Sequence, residues 1–243
     1  MKKLLVVFLL ILTVPTFAAA DVYIKDKSHT DPISSGLQNQ PAKDVITEQW
    51  IGEGKIAMIT AAKTTIIDFD KNIECIINHK TKTYIEAPYP LDITKLLPPG
   101  MAGLIQPIQA TAAVTPTGKK KIFGTRSCDE YDVVLKVDEI PIKIRIYATT
   151  DVPFDIHKYK ARVQASMLKS QMMGLDDASI KELDKIDGWW IATETSSETM
   201  GIKGHSTWEV IEIIEKPAPA GIYSVPSGYA RQDKFTKQDL QDQ

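Results

Sequence analysis

Few side chains in this 243-residue sequence have the type and spacing that chemistry requires. The only cysteines are Cys75 and Cys128, and neither has a C-x-x-C partner, which argues against a redox or zinc site. The histidines, His29, His79, His157 and His205, are scattered, with no H-E-x-x-H or paired spacing, and read as solvated surface residues. Ser166 to Lys169 fits the S-x-x-K motif of penicillin-recognising enzymes, but the companion S-D-N and K-T-G motifs are missing. Asp68, Asp70 and Asn72 begin like a calcium loop. Ile73 then replaces the required glycine, and His79 stands where the bidentate glutamate belongs. The sequence therefore reads as a protein without catalytic residues, cofactor or metal.

The compartment follows from the first residues. Lys2 and Lys3 precede an apolar stretch from Leu4 to Val14, and Pro15 and Ala18-Ala19-Ala20 complete the pattern of a cleaved signal peptide, residues 1–20. The apolar run is too short to span a bilayer, which needs about 20 residues. Cleavage leaves 243 − 20 = 223 residues and takes the formal charge from −2 to −2 − 2 = −4. That balance gives no reason to expect a nucleic-acid partner, and Lys119-Lys120-Lys121 reads as a solvated corner. In the oxidising periplasmic or extracellular environment an even cysteine count favours a Cys75–Cys128 disulfide, with two separate buried thiols as the alternative.

Most of the remaining chain is written in strand patterns. "TTIIDFD", "NIECIINH" and "KTYIEAP" follow one another as a meander around an Asp70-Lys71-Asn72 turn. "EYDVVLKVD" and "PIKIRIYATT" alternate, so Val133 and Leu135, and Ile142, Ile144 and Ile146, each share one face. "GWWIATET" and "HSTWEVIEIIEK" predict two more strands, and "DVYIKD", "DVITEQWIG" and "KIAMITAA" three near the N-terminus. Two segments break the pattern. Leu91 to Gln109 is apolar and proline-rich, and Phe154 to Gly174 has helical spacing, with Asp155 as its N-cap. A second short helix is expected after Asp177, and residues 230–243 read as a polar, flexible tail. The class this predicts is α+β, mainly antiparallel β, of about ten strands in a single domain over 21–229.

"KIFGTRSCDEYDVV", "IIDFDKNIECIINHKTKTY" and "TWEVIEIIEKPAPAGIYSVPSGY" resemble an uncharacterised group of exported bacterial proteins similar to the LolA/LolB-like superfamily of outer-membrane lipoprotein carriers. The resemblance implies a half-open curved β-barrel whose concave face is covered by helices and binds acyl chains. On that reading Val133, Leu135, Ile142, Ile144 and Ile146 floor a cavity. Leu96, Leu97, Met101, Leu104 and Ile105, with Met167, Met172 and Met173, form an adaptable lid. The expected function is a periplasmic binding module for a lipid, a lipoprotein acyl chain or another hydrophobic molecule. The alternative is an envelope protein–protein interaction or stress-sensing module that exposes Trp50, Trp189 or Trp190. Mature protein taken from the cell envelope should begin at or near Asp21 by N-terminal sequencing. An intact Met1 end in that fraction would overturn the export signal.

Overall fold

A computed structural model describes residues 20–35, 38–98, 100–101, 110–137, 140–157, 175–199, 201–236 and 239. Alternating β-branched runs, ended by turn residues, set the elements. The first group is β1 (Asp21–Thr30), β2 (Ile33–Ser35), β3 (Gln38–Gln40), β4 (Lys43–Gly52), β5 (Lys55–Ile59), β6 (Lys63–Asp68), β7 (Ile73–Asn78), β8 (Thr83–Pro88) and α1 (Ile93–Leu96). The second is β9 (Ala110–Phe123), β10 (Arg126–Val137), β11 (Ile140–Thr149), α2 (Asp177–Leu183), β12 (Trp189–Thr199), β13 (Ile202–Lys216) and β14 (Ala230–Gln232). The tight turns use left-handed backbone where the sequence allows it, at Asn72 between β6 and β7 and at Gly124 between β9 and β10.

Twelve strands form one sheet in the order β14-β8-β7-β6-β5-β4-β1-β13-β12-β11-β10-β9, and β2 and β3 make a separate hairpin. Two five-stranded meanders, β4 to β8 and β9 to β13, are joined in the sheet by β1, which pairs antiparallel with β4 and β13, and one buried cluster packs Ile51 and Ile56 of the first with Cys128, Tyr147, Trp189 and Ile191 of the second. The sheet is mixed, because β14 runs parallel to β8.

This corrects the expected fold class. The protein is mostly β, not α+β, and its sheet stays open instead of curling into a half-barrel. The two described helices have four and seven residues, and neither covers a face. The expected helix over 154–174 lies almost wholly outside the described residues.

We call the side against which α2 packs the front. There Leu183 and Ile186 meet Val114, Tyr131, Val133 and Ile146. The back of the β4–β8 half is covered by the segment after β13. Ala218, Ile222, Tyr223, Val225 and Tyr229 pack on Tyr23, Trp50, Ala57, Ile66 and Ile77. The chain then adds β14 and buries Phe235, whose N–H donates to Leu96 O at 2.8 Å. Residues 230–236, expected as a flexible tail, thus hold the sheet edge and α1.

The other edge is β9. Strand edges expose unpaired amides that invite aggregation. Here Ser179 Oγ accepts from Ala112 N at 2.9 Å, and Glu182 Oε2 from Val114 N at 3.2 Å. Pro116, next in the outward-facing set, has no N–H to leave open. Asp176 caps α2 by accepting from Ser179 N at 2.7 Å, so one short helix start both closes itself and presents the hydroxyl that closes the edge.

Where α2 returns to the sheet, Gly188 has φ +90°, and a Cβ there would lie 2.5 Å from the Thr149 backbone. Gly188→Ala should cost about 3 kcal/mol in urea unfolding. Gly118→Ala, with φ +72° but open space around it, should cost about 1 kcal/mol. Equal losses at both sites would remove the backbone contact as the cause.

Candidate functional site

Cross-strand register shows what each face presents. Val114, Val133, Ile144, Thr195, Ser206 and Thr30 form one front row, and Tyr131, Ile146, Thr193, Trp208, Ser28 and Val45 the next. A third row runs Ile213, Ile24, Gln49, Met58, Thr65, Ile76 and Ile85. The front therefore has two apolar wings, on β9–β11 and on β5–β8. In the first two rows they are separated by hydroxyls on β12, β13 and β1, whereas the third row crosses the middle on Ile213 and Ile24, which belong with Val22, Ile51, Ile56 and Val210 to a buried cluster. Many of its side chains, Met58, Ile76, Ile142, Ile144, Thr193, Thr195, Ser206 and Trp208 among them, are half-buried.

The expected cavity residues divide accordingly. Val133, Leu135, Ile142, Ile144 and Ile146 do share the front face, with Val133, Leu135 and Ile146 buried and Ile142 and Ile144 half-buried. Leu97 is buried, and Leu96 and Met101 are half-buried. Leu104, Ile105, Met167, Met172 and Met173 lie outside the described residues.

At the centre of the front stands a polar pair that strand prediction passed over. Asp26 on β1 and Gln49 on β4 are 2% and 3% exposed, and Gln49 Nε2 donates to Asp26 Oδ2 at 2.8 Å. Burial pushes the Asp26 carboxyl up, while hydrogen bonds from Gln49, Trp208 and Thr47 pull it part of the way back. Gln49 Oε1 is buried with no hydrogen-bond partner. The sequence did carry a signal. In β1 the apolar side of the alternation reads Val22, Ile24, Asp26, and in β4 it reads Val45, Thr47, Gln49, Ile51, so an acid and an amide occupy inward positions. Glu74, on the front of β7, is also pushed up by burial.

Cys75 and Cys128 are both free and buried. Seven strands lie between β7 and β10 in the sheet. At about 4.8 Å per strand that puts the cysteines on the order of 40 Å apart along it, far beyond disulfide reach. The expected pairing is absent, and burial pushes each thiol up to about 11.

The back of β10–β13 is divided: Cys128, Tyr147 and Ala192 are buried in a cluster with Trp189 and Ile191, and the rest is laced with ion pairs. Arg145 Nε is 3.0 Å from Asp132 and 3.6 Å from Glu130, and Lys121 Nζ is 2.9 Å from Glu194. A groove of about 450 Å³ runs here between Asp132, Val134, Lys143, Arg145, Glu194 and His205. At its end two histidines that look unrelated in sequence come together. Asp31 lies 3.1 Å from His29 Nε2 and 3.1 Å from His205 Nδ1, and His29 Nδ1 is 2.8 Å from Asp44. His79 is half-buried, within hydrogen-bond reach of Thr64 and Tyr229, and is not the surface residue expected. Among the described residues no group of three or more His, Cys, Asp or Glu is arranged to hold a metal ion.

The chain matches no protein-family model and no curated protein.

The His29 cluster yields a pH prediction. Hydrogen bonding to Asp44 raises the His29 pKa, with Asp31 adding to it. A raised folded value means that the stabilisation is complete below the ordinary histidine range and is lost as pH rises through the folded pKa. In an NMR titration the His29 ring should change charge above a free histidine, and Asp44→Asn should move it down. A midpoint that Asp44→Asn leaves unchanged would rule out the contact as the cause.

Proposed function

We propose that this chain is an exported, non-catalytic binding module that lays the hydrocarbon part of a lipid-like ligand along the front of its sheet. The observation that carries this reading is the half-buried state of Met58, Ile76, Ile142 and Ile144 on the two apolar wings. Core side chains are shielded almost completely. These four are shielded only in part, on a face whose alternation would otherwise bury them. Apolar area of this kind gains about 25 cal/mol per Å² when a hydrocarbon chain covers it. The buried thiols, held near 11, are weak nucleophiles at neutral pH, which leaves binding as the better supported activity. No helix among the described residues is long and apolar enough to cross a membrane.

A second reading, a docking module for an envelope protein, draws on the exposed Ile46, Ile211 and Ile214 of β4 and β13. Of the tryptophans expected to serve it, two are withdrawn from the surface. Trp50 and Trp189 are buried and Trp190 is half-buried.

The test is titration with dansyl undecanoate, followed by fluorescence. The wild-type protein should take up the probe, and Ile144→Glu, which sets a carboxylate on the apolar wing, should weaken uptake about tenfold while costing only about 1–2 kcal/mol of stability. No uptake by the wild type, or equal uptake by the variant, would end the lipid reading. If Ile46→Glu, on the back of β4, alone abolished the uptake, the ligand would lie on the opposite surface.

A further inference from the structure

The centre of the front face poses a chemical problem. Asp26 carries a carboxyl group at 2% exposure on the strand that joins the two meanders. Its neighbours in the register, Val210, Ile24, Ser28, Thr47 and Gln49, are all uncharged. Lys25 and Lys27 alternate to the other face, and among the described residues no cation pairs with Asp26. Gln49 spends its amide N–H on Asp26 and leaves Oε1 buried without a donor. A buried acceptor without a donor, and a buried acid without a cation, are each costly alone. Both belong here to one hydrogen-bonded pair.

The surroundings define what the pair lacks. Ser28 and Thr47 stand beside it, and Thr193, Thr195 and Ser206 continue the hydroxyl band. Thr47 and Trp208, which hydrogen-bond to Asp26, are themselves half-buried. Half-buried side chains therefore flank the acid on one side, while on the other Ile24 and Val210 belong to the buried apolar cluster. The group that completes such a set is small, carries several N–H donors and is cationic. A primary ammonium can donate one proton to Asp26, one to Gln49 Oε1 and one to a neighbouring hydroxyl.

We propose that Asp26 and Gln49 form the head-group subsite of the front face and that the ligand is an amphiphile with a primary ammonium head. This rests on the reading that the apolar wings hold hydrocarbon. The wings set where the chain lies, and the pair sets which head is accepted. A carboxylate head is repelled by Asp26, and a quaternary ammonium fills the site without donating to Gln49.

Four probes with the same chain separate the two layers of the argument: dodecylammonium, dodecyltrimethylammonium, dodecanol and dodecanoate, titrated below their micelle concentrations by calorimetry. The wild-type protein should bind dodecylammonium about tenfold more tightly than dodecanol, with the trimethylated probe close to dodecanol and dodecanoate weakest. Asp26→Asn should bring dodecylammonium within about twofold of dodecanol and leave dodecanol unchanged. Gln49→Met, which keeps the volume but removes the acceptor, should lose part of the preference. Thermal unfolding of both variants checks the fold. Asp26→Asn should be at least as stable as the wild type at neutral pH, since it removes a charge that burial disfavours. Equal binding of all four probes overturns the head-group subsite and leaves the hydrocarbon reading standing. Binding of none overturns both. A preference for dodecylammonium that survives Asp26→Asn places the recognition elsewhere and sinks the proposal.

Discussion

Everything in this molecule depends on the double pairing of β1. The two meanders touch through no other strand in the sheet order, so the front and back faces are continuous only because β1 pairs with β4 on one side and β13 on the other. The second pairing is distant in sequence, with Asp21 opposite Lys216. Loop-closure entropy makes such a pairing slow to form, so each meander can assemble locally while the join waits for both. Contacts from beyond the sheet reinforce the join. Tyr223 OH donates to Asp21 Oδ2 at 2.6 Å, and the Lys216 ammonium sits 3.3 Å from the centre of the Tyr23 ring.

Most strands were legible in the sequence because alternation is a local signal. Val133, Leu135, Ile142, Ile144 and Ile146 were placed on one face, and the register puts them there. β9 was missed for an equally physical reason. "ATAAVTPTGKKKIF" contains a proline, a glycine and three lysines, which read as a turn, yet these are residues that an edge strand uses to discourage a further partner. The parallel β14 was missed because nothing local marks Ala230-Arg231-Gln232 as a strand. Its place follows from Phe235 and Tyr229 packing far from their neighbours in sequence.

Topology explains the larger errors. An even number of cysteines says nothing of distance, and Cys75 and Cys128 fall one in each meander, so joining them would mean folding the sheet in half. The expected half-barrel came with the resemblance, which implied helices over a concave face. Instead the back of the β4–β8 half is covered by the segment after β13, and on the back of β10–β13 a buried patch at Cys128, Tyr147 and Ala192 adjoins an exposed stretch held by cross-strand pairs such as Arg145–Asp132. Short covering segments and a partly solvated back relieve the demand for closure, and the sheet remains open.

The position of Asp26 is hard to explain by folding alone. A carboxyl raised by burial adds stability only in its protonated state, complete below the ordinary carboxylate range and lost as pH rises through the folded value. At neutral pH it therefore weakens the strand on which the join depends. The same holds for Glu74, but Glu74 lies in the β7 meander, where β6 and β8 share the load, and it accepts a hydrogen bond from the Leu91 N–H. An apolar residue at 26 would continue the Val22 and Ile24 side of β1 and pack against Val210 without penalty. A sequence consistent at every other level, with an acid and an unsatisfied amide where an aliphatic residue would serve better, concedes stability at one place. That place is the midpoint between two apolar wings, where a ligand that spans them would set down its polar end.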